Sequence, residues 1–351
     1  MRRIGDCLGR FSPKDIFSFS ISTPRIAFVF PGLATEPFSW DAREGWALAA
    51  ESLNWSFGTF WVRREKPDVR RLIKDLGKLG PDWIFFLGGD HHLYPLHQHP
   101  DDRKRWQDLP IPKICNCDER ILGSPYPDSL LKSASALSTF DAFTYSDEGS
   151  AAFFEGQDKP HLWWSQYVDP ITFRSLIPYL EKEPLVFFRG QLDPAGQKEV
   201  YSGRFRVIQA VRGKPGFLLE EAYRPLLPIH EAVSRKDRYA VCLHAPSNCP
   251  GMVSSFYEGA ALGCLVLQYR LPDCLPKNRA LFQAGKHFVE YDALHPETLP
   301  GLVAQILTHP GDYRDIARQG QEETLSKHTI PHRLRELEQF VSAHWGRLKK
   351  T

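Results

Sequence analysis

The chain has 351 residues but no apolar run approaching the roughly 20 residues that a bilayer-spanning helix needs. It also has almost no net charge. Forty-four Lys and Arg against 42 Asp and Glu leave +2, which implies no polyanion-binding surface, so nucleic acid is not an expected partner. Seven cysteines, an odd number scattered widely, leave no disulfide framework. Cys115 and Cys117 are one residue apart and lack a second pair for zinc. They read as reduced thiols, several of them in strands, of a cytoplasmic protein. The N-terminus MRRIGDCLGRFSPKDIF starts basic but lacks a long apolar core and a small-residue cleavage site, so it is not read as a signal peptide. There is no GxGxxG, which leaves a dinucleotide site unsupported. The absent GxxxxGK[ST] does the same for a P-loop enzyme. There is no internal repeat and no low-complexity stretch.

What is present is a rhythm. Buried strands are predicted at 25–32, 56–64, 81–90, 111–119, 140–149 and 161–170, with helices over 41–52 and 68–80. After a crossing segment at 170–184 the pattern restarts with PLVFFRGQL and a helix near 201–212. A short strand near 216–219 and a helix over about 223–235 follow. Beyond the centre of this half come helices near 276–284, 297–308 and 311–326. The last segment puts Leu334, Leu337, Val341, Trp345 and Leu348 on one stripe. Alternating strands and helices predict parallel, doubly wound sheets, and the length suits two domains. Ligands of such sheets bind outside the carboxyl ends of the strands.

The most informative stretch is YAVCLHAPSNCPGMVSSFYEGAALGCLVLQY, residues 239–269. A strand runs into a Pro/Gly-marked loop, then a helix with Val253, Phe256, Tyr257, Ala260 and Ala261 on one face, then a second strand after Gly263. Ser254, Ser255 and Glu258 share the polar face. The free N–H groups and positive end of such a helix attract phosphate. The backbone at Gly251, Met252 and Val253, with Ser247 and Asn248 before it, therefore suits a diphosphate. Glu258 suits the two hydroxyls of a ribose. The competing reading is an ordinary crossover helix with a solvated Glu.

Other positions are weighed in the same way. Arg189, ending the strand in FFRGQL, and Arg204, opening the next helix, suit charge-assisted contacts to the same diphosphate. Arg206 is a neighbouring alternative for Arg204. In GGDHHLYPLHQHP, Asp90 and His91 directly follow a strand, where a general base or acceptor contact belongs. The histidines of that run match no compact zinc signature, and no metal is expected. Asp118 and Glu119 follow the fourth strand, and Asp147 and Glu148 the fifth. These acids either contact an acceptor or, for Asp147, cap the helix at 148–155. Trp163 and Trp164 read as core and hinge packing, and Cys249 as structural.

These residues resemble a family. FFRGQL, YSGRFRVIQAV, GMVSSFYEGAALGCLVLQY, GKHFVEYDALHPETLPGLVAQIL and YRDIARQGQEETLSKHTIPHRLRELEQF are similar to the C-terminal half of GT-B glycosyltransferases. The likeness is nearest to the CgeB-like group with its "glycosyl transferases group 1" domain. The last piece carries an R-x-x-A-x-x-G … H-T-x-x-x-R pattern. PDWIFFLGGD, FDAFTYSDEG and WSQYVDPITF look like the corresponding N-terminal strands and hinge. The resemblance implies a GT-B fold of two Rossmann-like doubly wound domains facing a central cleft, with a C-terminal helix crossing back. The domains would be an acceptor side at 1–175, a donor side at 176–330 and the crossover at 331–351.

It also implies a nucleotide-sugar donor as substrate with no cofactor. Glu258 would be the ribose acid, and Gly32, Asp118 and Asp147 would stand on the acceptor side. The chain has no DxD, in keeping with metal-independent transfer. One departure is that retaining relatives often carry Glu-x7-Glu, whereas the position eight before Glu258 is Pro250. The function expected is sugar transfer from a nucleotide donor to a hydroxyl or similar nucleophile of an unspecified acceptor. A sugar-nucleotide epimerase and a non-catalytic nucleotide- or sugar-binding protein are the alternatives. Oligomeric state is left open.

Overall fold

The structure, a computed structural model, describes residues 23–31, 43–62, 68–87, 100–117, 138–192, 202–221, 227–247 and 250–346. The first half contains β1 (Arg25–Pro31), α1 (Arg43–Ser52), β2 (Ser56–Val62), α2 (Val69–Leu79), β3 (Trp83–Phe86) and α3 (Pro100–Gln107). It continues with β4 (Lys113–Cys117), β5 (Ala142–Tyr145), α4 (Ala151–Glu155) and β6 (His161–Trp163). The second half opens with β7 (Glu183–Gly190), α5 (Ser202–Val211), β8 (Phe217–Glu221), α6 (Ile229–Asp237) and β9 (Tyr239–His244). Then follow α7 (Ser254–Ala261), β10 (Leu265–Tyr269), α8 (Pro276–Leu281), β11 (Val289–Tyr291), α9 (Leu299–Thr308) and α10 (Arg314–Lys327). The last helix is α11 (Ile330–Trp345).

The strands form two sheets, β2-β1-β3-β4-β5-β6 and β11-β10-β9-β7-β8. The named pairs within both are parallel. The two sheets share one winding, in which the first strand lies between the second and the third. The order therefore reverses at β1/β3 in one half and at β7/β9 in the other. Such reversal points splay the helices apart and open a crevice at the strands' carboxyl ends. The expected doubly wound α/β fold is present, with the two Rossmann-like halves of the GT-B arrangement.

Side-chain alternation explains why both sheets are covered on two faces. Ala27, Val29, Ile84, Phe86, Cys115 and Cys117 pack under α2 and α3 through Leu72, Leu76 and Trp106. Their neighbours Ile26, Phe28, Phe85 and Ile114 point the other way and meet Trp46 of α1 and Ile330, Leu334 and Leu337 of α11. The last helix thus buries its apolar stripe in the first half's core. Cys115, Cys117 and Cys242 lie buried in strands, and Trp164 sits in the core at 1% exposure. No helix among the described residues is long and apolar enough to cross a membrane.

Several elements differ from the sequence reading. The strand read over 140–149 ends at Tyr145, before the turn at Glu148–Ser150, and the helix read near 276–284 ends at Leu281. The strand read over 161–170 stops at Trp163, because the chain then leaves the sheet to cross to the second half. The helix read from about 223 is seen at Ile229–Asp237, with Pro228 in extended backbone at its N-cap. The helix read at 148–155 begins as a tight 3-10 turn at Glu148–Ser150.

The chain passes between the halves twice, and the two passages lie side by side. Val168 N–H donates to the His328 carbonyl at 3.0 Å, and Ile330 N–H to the Val168 carbonyl at 3.1 Å. Beside them Arg333 Nη2 donates to Ser165 Oγ at 2.8 Å and to His328 Nδ1 at 3.0 Å. Arginine only donates, so Nδ1 accepts and the ring proton sits on Nε2. The sequence pattern ending in H-T-x-x-x-R is therefore a junction motif. Its R-x-x-A-x-x-G part is a packing motif, since a Cβ on Gly320 would run into the His287 carbonyl.

Two predictions follow from this packing. Gly320→Ala is expected to destabilise the protein by about 1–3 kcal/mol through overpacking. Gly301→Ala, where a Cβ meets nothing within 4 Å, is expected to be neutral or stabilising. Paired urea melts check this, and equal midpoints would refute it. Acid is the second lever. Burial, then the Arg333 charge, pushes His328 down to about 3. Burial, offset in part by Gln268, pushes His244 down to about 4. Both rings stay neutral in the fold while the unfolded chain protonates them below about 6.5. Stability is thus full above that pH and falls as pH drops towards those values, by about 2 kcal/mol per histidine at pH 5. Melting points at pH 7.5, 6 and 5 measure it, and His328→Gln is expected to flatten the profile.

Candidate functional site

At the reversal point of the second half, β7 ends in Arg189–Gly190 and β9 in His244, and the loop to α7 leaves from there. Phe256, Tyr257, Ala260 and Ala261 bury the predicted face of α7, leaving its N-terminus at the crevice. Val253 is the N-cap, in extended backbone at φ −91° and ψ 173°, and makes no side-chain capping bond. Its side chain has no acceptor, so the first-turn N–H groups lack the usual Ser, Thr, Asp or Asn partner.

The loop before Val253 is held from several sides. Tyr269 Oη donates to the Gly251 carbonyl at 3.3 Å, and Met252 N–H donates to Asn278 Oδ1 at 3.3 Å. A Cβ on Gly251 would stand 3.0 Å from that Asn278 oxygen, a tight approach that the missing side chain relieves. On the other flank Arg204 Nε donates to the Pro246 carbonyl at 3.0 Å. Arg204 thus lies against the loop, with its charge among the causes that lower the buried His244. Ser247 is half-buried between these anchors. Arg189 makes a mostly buried pair with Glu220, Nη1 to Oε2 at 3.0 Å, with its side chain 8% exposed.

Glu258 sits further along α7, against α6. Its carboxylate pairs with Lys236, and the two side chains are only 15% and 13% exposed. A ribose role for Glu258 therefore requires sharing the carboxylate with an ammonium.

The first half supplies the opposite wall. Ser146, Asp147, Glu148 and Gln166 line a cavity with Gly251, Met252, Val253 and Asn278, and its volume is about 10 Å³. That is room for about one water. Asp147 is buried and caps its own turn, with Oδ1 accepting from Gly149 N–H at 3.3 Å and Oδ2 from Ser150 Oγ at 2.7 Å. The capping role weighed for it is present, and the same residue borders the cavity.

The structure thus brings Asp147, Gly251, Met252 and Val253 to one cavity, with Arg204 on the loop's flank. Gly32, Asp90, His91, Asp118 and Asn248 lie outside the described residues, as does the histidine run at 91–99. Among the described residues no group of three or more His, Cys, Asp or Glu is placed to hold a metal ion. Asn278 was not singled out from the sequence, where an Asn after Pro-Lys carries no chemical signal. Glu148 was noted only as an acid after a strand.

Residues 195–339 match a family model described as glycosyl transferase-like. No curated protein matches the chain. Among solved structures, Anabaena Alr3699/HepE in complex with UDP and glucose superposes with a TM-score of 0.59 at 10% identity, covering 91% of this chain and 100% of that one. Sucrose-phosphate synthase from Thermosynechococcus elongatus gives 0.58 at 10% identity, covering 91% and 99%. A putative UDP-N-acetylglucosamine 2-epimerase from Listeria monocytogenes gives 0.53 at 13% identity, covering 94% and 100%. At these identities the likeness is one of fold.

Lys236→Met is expected to destabilise the protein by about 3 kcal/mol, because it leaves the Glu258 carboxylate buried without its cation. Lys236→Met with Glu258→Leu is expected to recover most of that loss. A double-mutant cycle by urea denaturation reads the coupling, and simple additivity would show that the pair is not coupled.

Proposed function

We propose that the chain is a glycosyltransferase that moves a sugar from a nucleotide donor to an acceptor hydroxyl or similar nucleophile, without a metal. The observation that carries this reading is the uncapped N-terminus of α7, presented at the β7/β9 reversal point on a loop anchored by Asn278, Tyr269 and Arg204. Backbone N–H groups with a helix dipole behind them are suited to a diphosphate. The match of residues 195–339 to a glycosyl transferase-like family supports the same reading.

In this reading the amides of Gly251 and Val253, with Ser247 and Asn248, hold the donor diphosphate, the Met252 N–H being engaged by Asn278, and Arg204 and Arg189 neutralise it. As the glycosidic bond to the donor breaks, negative charge grows on the departing nucleoside diphosphate, and fixed donors and cations stabilise that charge without reorganising. Glu258 accepts the ribose hydroxyls by exchanging part of its contact with Lys236. The acceptor approaches from the first half, near Gly32, Asp118 and Asp147, with Asp90 or His91 orienting it or taking its proton. In this reading the halves part for donor entry and close for transfer, which excludes water. Buried free cysteines fit a cytoplasmic setting. The fold likeness to the Listeria protein favours sugar-nucleotide epimerisation as a second reading.

A melting panel with UDP, GDP, ADP, CMP and their sugars, run in excess chelator, tests the donor site. The cognate nucleotide at one hundred times its Kd is expected to stabilise by about 2.7 kcal/mol. Nucleotide release that requires an added acceptor and survives chelator supports transfer. Conversion of the nucleotide sugar with no acceptor present supports the epimerase. No shift with any nucleotide would overturn both.

A further inference from the structure

The halves touch through a carboxylate that the proposed chemistry does not use. Glu148 belongs to the first half and is only 8% exposed. Its Oε1 accepts from the Lys277 N–H at 2.8 Å and its Oε2 from the Asn278 N–H at 2.8 Å. Oε2 also accepts from Asn278 Nδ2 at 3.0 Å. These N–H groups open α8, in the second half, where Leu275 makes no side-chain capping bond. Glu148 therefore caps a helix of the other half. Both its oxygens are bonded and the helix donors it meets are satisfied. Beside it, Lys277 Nζ lies 5.4 Å from the centre of the Trp163 ring, a second contact of α8 with the first half.

The platform under Glu148 is tied by three side chains. Asp147 caps its turn, Trp163 Nε1 donates to the Ser146 carbonyl at 3.2 Å, and Gln166 Nε2 donates to Ser146 Oγ at 2.8 Å. The contact also reaches the loop before α7. Asn278 gives its amide N–H to Glu148, and its Oδ1 accepts from Met252 N–H. The assignment of Oδ1 and Nδ2 is fixed by both partners at once, since a carboxylate only accepts and a backbone N–H only donates. Turning the amide over would break both bonds. The first half thus sets the orientation of a loop amide in the second half through one side chain.

We propose that Glu148 is a positioning residue: through Asn278 it aligns the Met252 amide and latches the two halves together around the loop. The functional consequence rests on the reading of that loop as the donor site. With the latch made, the loop is presented in one geometry. With it broken, the halves separate more readily and the loop loses its register against the first half.

The test uses the full chain with Glu148→Gln, Asn278→Asp and the exchanged pair Glu148→Gln/Asn278→Asp. Gln at 148 puts an amide nitrogen against a donor, and Asp at 278 puts two carboxylates together. The exchanged pair restores one donor facing one acceptor. UDP is the probe, followed by calorimetry, and small-angle scattering reports the separation of the halves. Each single variant is expected to weaken UDP by about fivefold to tenfold, the pair to return to within about threefold of wild type, and the radius of gyration to follow the same order. In turnover, the single variants are expected to raise KM more than they lower kcat. Singles that bind UDP and scatter like wild type would overturn the proposal, and so would a pair that is simply the sum of its parts. If wild type binds no UDP, the nucleotide that shifts the melting panel replaces it as the probe; if none does, the donor reading fails, and the scattering order alone decides the latch. If Asn278→Asp does not fold, Glu148→Gln against wild type carries the comparison.

Discussion

The double passage of the chain between its halves is the constraint on which the other features rest. Val168 and Thr329 bridge there, and the backbone bonds on either side bring the 165–169 segment against the start of α11. Ser165, His328 and Arg333 fill the space beside the bridge with a buried polar cluster. The cluster holds only while the imidazole stays neutral and accepts from arginine. Once the two passages are paired, the carboxyl ends of the two sheets are carried towards one another. A site built from loops of both halves becomes possible, and α11 can give its apolar stripe to the first half.

Close approaches are arranged around the site by what is missing from side chains. Gly251 lets the loop meet Asn278, and Gly203 lets the start of α5 lie 3.1 Å, measured from a would-be Cβ, from Pro246. Gly320 lets α10 meet the His287 carbonyl. At these glycines a methyl group would press on the Asn278 side-chain amide, the Pro246 ring or the His287 carbonyl. The charged groups show the opposite economy. Arg189 with Glu220, and Lys236 with Glu258, are pairs formed within the second half. Buried ions without partners are costly, so residues suited to a charged ligand also hold one another in its absence. A ligand at this site would have to exchange those contacts.

Much of this architecture was legible from the residues. The alternation of apolar runs with helical stripes forecast two parallel sheets. The face at Phe256, Tyr257, Ala260 and Ala261 forecast how α7 packs, and Asp147 was legible as a cap because its carboxylate stands just before a helix start, where free N–H groups need an acceptor. The closing pattern from Arg314 to Arg333 was visible as a motif, but its physical content was not. Gly320 needs the His287 carbonyl, and Arg333 needs Ser165, which is 168 positions away in sequence. Strand 161–170 was read too long because its apolar character continues past Trp163 while its direction changes.

The order of residues carries the periodicities, and with them the element types, the two-sheet class and a polar loop before α7, since these depend on neighbours within a few residues along the chain. Packing of the folded chain is what brings Glu258 to Lys236 and lets Glu148 cap a helix of the other half. The same packing makes Asn278 the link from that helix to Met252. Those outcomes depend on which groups arrive within hydrogen-bond distance after the halves have packed. A carboxylate written in a sequence carries a charge but no partner, and the partner is chosen by the fold that excludes water from around it.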